Sequence, residues 1–124
     1  MDFTQFKLGE TIGAGSFGEV RKAIKTSTGE ELAIKILHLE SVRDELDNIQ
    51  KEISLLSRLD SPYVVQYLGS FLHGTDLNVV MEYMSGGSLR DLMKAGVLQE
   101  AEVAAVLKEV LSGLVFLHAA KVVH

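Results

Sequence analysis

The chain has 124 residues, with 12 Lys and Arg against 17 Asp and Glu for a formal net charge of −5, four His and no Cys. That length predicts one domain with one core, burying roughly two thirds of the unfolded surface. The acidic balance, with cations scattered and no basic block, excludes general binding to nucleic acid or an anionic membrane, and the missing cysteine excludes disulfides, thiolate catalysis and thiolate zinc sites.

Met1-Asp2-Phe3-Thr4-Gln5 lacks the basic start and apolar run of a secretory signal. Phe6, Leu8 and Ile12 then predict a strand leading into the glycines, and Val20 to Lys25 predicts a second. The turn cluster Thr26-Ser27-Thr28-Gly29-Glu30 hands over to Glu31-Leu32-Ala33-Ile34-Lys35-Ile36-Leu37, the third strand of a meander. Ser41-Val42-Arg43-Asp44 fits a capping box, after which Val42, Leu46, Ile49, Ile53 and Leu56 recur at helical spacing through about Leu59. Asp60-Ser61-Pro62 ends that helix.

Val64 to Phe71 and Leu77 to Met84 predict two more strands around the turn His73-Gly74-Thr75-Asp76, with Leu77, Val79, Met81 and Tyr83 alternating onto one face. After Gly86-Gly87, Ser88 and Asp91 form a capping box that opens a short helix to about Ala95. Glu100 to Ala120 predicts a long helix, apolar at Val103, Val106, Leu107, Val110, Leu111, Leu114 and Leu117 and widened by Ala104, Val115 and Phe116. So little polar surface remains that the helix needs cover on several sides. The most apolar stretch, Leu111 to Val123, is too short to span a bilayer and is broken by Ser112, His118 and Lys121. His38, His73, His118 and His124 have no metal-ligand spacing. The expectation is a soluble cytoplasmic protein with no metal site among these residues, no nucleic-acid partner and no membrane.

The chemistry lies in Gly13-x-Gly15-x-x-Gly18-x-Val20. A dinucleotide-binding loop would need a helix at the third glycine and an acidic residue some twenty positions on, where Glu40 stands. The Thr26 to Glu30 turn stops such a helix too early, and Lys7-Leu8-Gly9-Glu10-Thr11 is too polar for a central parallel strand. A hairpin with the same glycines brings backbone N–H groups close to phosphate oxygens, and a Gly-rich hairpin without a ligand carries the same pattern. Leu32-Ala33-Ile34-Lys35 adds a small residue and a long cation on one strand face, suited to a flat base and to phosphates. Glu52, on the central helix at the edge of its apolar face, is the best available anion for Lys35, although surface charge beside Glu45 and Lys51 is its ordinary role.

Taken in order, the glycine loop, Leu32-Ala33-Ile34-Lys35 and Glu52 resemble the N-terminal half of a eukaryotic protein kinase, with its Gly-rich loop, its V-A-I-K strand and the acidic partner on the helix that the family calls αC. The resemblance runs from about Phe6 to His124. Asp60-Ser61-Pro62-Tyr63-Val64-Val65, Tyr67-Leu68-Gly69-Ser70-Phe71, Met81-Glu82-Tyr83-Met84 and Gly86-Gly87-Ser88-Leu89 are most similar to the sterile-twenty-like (STE) serine/threonine kinases, with the MAP kinase kinase branch the nearest alternative.

The resemblance implies an α+β fold: an N-lobe over residues 1–84, with a five-stranded antiparallel sheet and αC, and residues 85–124 as hinge exit, short helix and long helix of an incomplete C-lobe. It implies ATP, with Mg2+ in the complete enzyme, and transfer of the γ-phosphoryl to protein Ser or Thr hydroxyls. Lys35 would orient the α and β phosphates and Glu52 would hold Lys35. Gly13, Gly15 and Gly18, with Ser16, would cover the phosphates. Ile12, Val20 and Ala33 would enclose the adenine, Met81 would be the gatekeeper, and the Glu82 carbonyl and Met84 amide would bond the adenine edge. Ser88 would touch the ribose, a role its N-cap duty rivals, and Leu56, Tyr67 and His124 would join the apolar column that couples the lobes.

His124 resembles the first residue of the His-Arg-Asp catalytic loop, and these residues hold no Asp-Phe-Gly motif. The expectation is therefore an ATP-binding portion that is inactive alone, with the helix Glu100 to Ala120 seeking a missing C-lobe or a protein partner. A nucleotide-binding or regulatory module without catalysis is the competing expectation, and a dinucleotide-binding half-domain is a remote third.

Overall fold

The computed structural model describes residues 1–16, 18–41 and 46–122. Its strands are β1 (Phe6–Gly15), β2 (Gly18–Lys25), β3 (Glu31–His38), β4 (Tyr67–His73) and β5 (Asp76–Glu82), and its helices are α1 (Leu46–Ser57), α2 (Leu89–Ala95) and α3 (Glu100–Ala119). The strands form one antiparallel sheet in the order β1-β2-β3-β5-β4. This is the α+β fold expected from the sequence, with a five-stranded sheet and one helix before the two later helices.

Several boundaries moved: β2 begins at Gly18 rather than Val20, and β5 runs from Asp76 to Glu82 rather than from Leu77 to Met84. β4 begins at Tyr67 rather than Val64, because Ser61 turns the chain first: its hydroxyl accepts from the Tyr63 amide at 3.2 Å and its carbonyl from the Val64 amide at 3.3 Å. The helix expected from a capping box at Ser41–Asp44 is seen from Leu46, and residues 42–45 lie outside the described residues.

Residues Met1–Asp60 and Val65–Tyr83 form one compact unit, and Ser61–Val64 with Met84–His124 form another. In the first unit the expected single core is instead two clusters, and the strand order explains why. β3 lies centrally, between β2 and β5, and successive side chains point to opposite faces, each covered by a different set of residues, so it is buried on both. Leu32, Ile34 and Ile36 point into one cluster with Phe6, Ala23, Phe71 and Val80. Leu37 points the other way, with Leu77 and Val79, under Ile49 and Ile53 of α1. The alternation of Leu77, Val79 and Met81 is real, but it describes only one of two buried faces of β5.

The first cluster is closed partly by the N-terminal segment. Phe6 stacks on Phe71 with ring centroids 5.9 Å apart, and Phe3 stacks on His73 at 4.1 Å. A single 3₁₀ turn, Phe3–Gln5, carries Phe3 there, capped by Asp2, whose carboxyl is held below its ordinary pKa first by the Thr4 hydroxyl and then by the Thr4 amide.

In the second unit Ser88 is the N-cap of α2, as the sequence predicts. α3 runs to Ala119 and buries Gly113 and Leu117. Gly113 is small for a reason: a Cβ there would lie 3.2 Å from the Tyr63 carbonyl oxygen, so the helix approaches that segment backbone to backbone.

Candidate functional site

The glycines lie in a hairpin. Gly15 pairs with Gly18 across its tip, and Gly13 pairs with Val20 two rungs back. Gly18 opens a strand, not a helix, so no helix N-terminus meets a pyrophosphate here and the dinucleotide expectation is overturned. The register of β1 shifts between Thr11 and Gly13, which leaves Ile12 as the extra residue of a bulge with its side chain 45% exposed. A second shift follows Leu8, where the Arg21 guanidinium fills the gap by donating to the Gly9 carbonyl at 2.7 and 3.0 Å.

Two cross-strand rows then run over one face of the sheet. In the first, Gly13 faces Val20, Val20 faces Lys35 and Lys35 faces Val79; in the second, Lys22 faces Ala33, Ala33 faces Met81 and Met81 faces Tyr67. Residues opposite one another share a face. The sequence placed Ala33 and Lys35 together on a strand, and the register adds Val20 and Met81 beside them. Lys35 is half-buried, with Val20 and Val79 opposite it on the neighbouring strands.

The glycines of the loop differ in what they do. Gly18 has φ +140°, and a Cβ there would lie 2.0 Å from the Ile36 carbonyl oxygen, so packing against β3 alone demands glycine. At Gly13 a Cβ would meet only Val20, at 3.8 and 3.9 Å, an ordinary contact. The protein's own packing does not require glycine at 13. A side chain there would instead occupy the face shared by Val20 and Lys35.

This hairpin, the strand bearing Ala33 and Lys35 and the helix bearing Glu52 belong to a match with the protein kinase domain family model over residues 6–124. The chain belongs to the protein kinase family. The kinase fold accounts for the arrangement of the first unit, a Gly-rich hairpin at one edge of the five-stranded sheet and α1 across its second cluster.

Other residues singled out in the sequence are positioned as follows. Glu52 is exposed on α1, and its charge is felt at Tyr67, whose phenol is pushed above its ordinary pKa first by burial and then by that carboxylate. Leu56 is half-buried on the same helix, and His124 lies outside the described residues. The Glu82 amide donates to the Gln66 carbonyl at 2.9 Å and its carboxylate accepts from the Gln66 amide at 3.1 Å. Met84 is 47% exposed. The Ser88 hydroxyl donates to the Asp91 carboxylate at 3.0 Å and accepts from the Asp91 amide at 3.1 Å, so its cap is formed.

Sequence reasoning missed one cluster at this kinase sheet. Lys22 sits 3.3 Å from the Glu31 carboxylate, with its ammonium 5.1 Å from the centre of the Tyr83 ring. Strand alternation from Val20 was a signal for it, since it puts Lys22 on the same face as Val20. Among the described residues no group of acidic and His side chains could hold a metal ion, and no helix is long and apolar enough to cross a membrane.

Proposed function

We propose that this chain is the ATP-binding portion of a protein serine/threonine kinase of the STE group, the complete enzyme moving the ATP γ-phosphoryl to protein Ser or Thr hydroxyls in the cytoplasm. The observation that carries the nucleotide assignment is the face on which Val20, Ala33, Lys35 and Met81 meet beside a Gly13 that packing does not require. Val20, Ala33 and exposed Ile12 supply apolar cover for a base, and Lys35 supplies the cation for the α and β phosphates. Gly13, Gly15 and Gly18, with Ser16, keep side chains from the loop backbone so that its amides reach phosphate oxygens. Glu52 orients Lys35, Met81 limits the depth of the pocket, the Glu82 carbonyl and Met84 amide read the adenine edge, and Ser88 adds a ribose contact.

Mg2+ neutralises phosphate charge in the complete enzyme. Residues 1–124 contain neither the proton-accepting aspartate of a His-Arg-Asp loop nor an Asp-Phe-Gly motif, so on their own they bind ATP without transferring phosphoryl. The STE placement rests on the resemblance of Asp60 to Val65, Tyr67 to Phe71, Met81 to Met84 and Gly86 to Leu89, and the Ser/Thr preference on that family resemblance alone. The exposed apolar side of α3, with Leu111 58% and Val115 69% exposed, fits burial beneath further kinase chain or a protein partner.

The test is titration of the 124-residue chain with Mg·ATP and with NAD. ATP should bind and NAD should not, and Lys35→Met should weaken ATP by about ten- to hundredfold, the loss of a charge-assisted bond. Equal ATP affinity in that variant overturns the role given to Lys35. Joined to a kinase C-lobe, the chain should phosphorylate protein Ser or Thr, Lys35→Met should abolish transfer and Glu52→Gln should reduce it less.

A further inference from the structure

Lys22, Glu31 and Tyr83 are joined across the sheet in a way that the roles above leave unused. Lys22 stands directly opposite Ala33, and Ala33 directly opposite Met81, so the lysine begins the row on which the base is to lie. Its side chain is only 27% exposed, paired at 3.3 Å to a Glu31 carboxylate that is 52% exposed. The ammonium lies over the Tyr83 ring at 5.1 Å, within the range at which a cation is attracted by an aromatic face. Tyr83 follows the last residue of β5 and stands in the chain between Glu82 and Met84, the two residues whose backbone groups are assigned to the adenine edge. Tyr83 lies just beyond the sheet ladder, and the contact with Lys22 ties its ring back to β2.

We propose that Lys22 and Glu31 act as a strap on the Tyr83 ring, fixing the Glu82–Tyr83 backbone in the geometry in which the Glu82 carbonyl binds the adenine edge. The inference rests on the ATP assignment and gives Lys22 and Tyr83 positioning roles, with no contact to the nucleotide. Charge and geometry agree. Glu31 raises the Lys22 pKa, first by hydrogen bonding and then by its charge, with smaller contributions from Tyr83 and Glu10, so the cation persists throughout the neutral range. The same carboxylate holds the ammonium beside the Tyr83 ring.

The experiment compares ATP with inorganic tripolyphosphate, which has the phosphates and no base, on the 124-residue chain. In Lys22→Met, ATP should bind about three- to tenfold more weakly while tripolyphosphate is unchanged, because only the base-dependent part of binding is lost. Lys22→Arg should restore ATP affinity, since guanidinium also pairs with carboxylate and stacks on an aromatic ring. Tyr83→Leu should match Lys22→Met, and the double variant should be no weaker than either alone. Should Lys22→Met not fold, Glu31→Gln carries the same comparison with a smaller loss. Unchanged ATP affinity, an equal fall for tripolyphosphate, or additive losses each overturn the strap. Failure of the unsubstituted chain to bind ATP overturns the nucleotide assignment and the strap with it, and is seen before any residue is changed.

Discussion

In β3, Leu32, Ala33 and Ile34 are between 1% and 4% exposed, whereas in α3, Val103, Leu107, Val110, Leu111 and Val115 are between 40% and 69% exposed. Both segments are rich in apolar residues, so hydropathy does not separate them. Position does. β3 has a hydrogen-bonded strand on each side, α1 over one face and Phe6 and Phe71 on the other, and every apolar side chain finds neighbours. α3 meets the Ser61–Val64 segment at Gly113 and buries Leu117; Val106, Leu114 and Phe116 are half-buried, and the five α3 residues named above are exposed. An apolar residue stabilises a fold through the surface that covers it, about 25 cal/mol per Å² removed from water, and not through its identity.

Substitutions on the two elements should therefore differ in size. Ile34→Ala opens a cavity where the side chain is 1% exposed and should cost about 2–5 kcal/mol in denaturant unfolding; a smaller loss would mean that the sheet core is looser than its burial implies. Gly18→Ala, which drives a Cβ into the Ile36 carbonyl, should cost about 2 kcal/mol or more, while Gly13→Ala should cost within about 1 kcal/mol and weaken ATP instead. Similar unfolding midpoints for the two glycine variants would erase the distinction between a packing glycine and a ligand glycine. In the second unit Ser88→Ala should remove about 1 kcal/mol from α2, read by amide hydrogen exchange within Leu89–Ala95.

At the small end, Val115→Gln, at a side chain 69% exposed, should change unfolding free energy by no more than about 0.5 kcal/mol and raise solubility. A large destabilisation would show that this side of α3 is covered. The pH limits follow from the groups with shifted pKa values. Asp91 is held below its ordinary 3.8 first by the Ser88 amide, so its contribution is present above that value and is lost as pH falls through the lower folded pKa. Lys22 and Tyr67 are raised above 10.5 and 10.0, so what they contribute is present below those values and is lost as pH climbs through the folded ones. An alkaline titration following tyrosinate absorbance should find Tyr67 ionising above the ordinary phenol value of 10.0.

Much of this was written locally. The strands, the helix on Ile49 and Ile53, the capping box of Ser88 and Asp91 and the long helix to about Ala120 follow from periodicity and capping over a few residues. The glycine pattern and Leu32-Ala33-Ile34-Lys35 point to phosphates for the same reason: each needs only the spacing along one strand or turn. The N-terminal five residues were unreadable as structure, because Phe3 finds its place only by stacking on His73, seventy positions away. The two cores were only half readable: the apolar run Leu32 to Leu37 signals a strand buried on both faces, but not that Phe6 and Phe71 cover one and Ile49 and Ile53 the other.

The sequence by itself determined the elements, the hairpin loop, the cation at 35 and the acidic surface, because those depend on residue type and short-range spacing. Only the tertiary structure decided the strand order and register that put Val20, Ala33, Lys35 and Met81 on one face, the contact between Gly18 and Ile36, and the meeting of Lys22 with Glu31 and Tyr83. The physical reason is common to all three. They depend on which backbone lies about 5 Å away across the sheet, and that choice is made by the burial of whole faces rather than by any local run of residues.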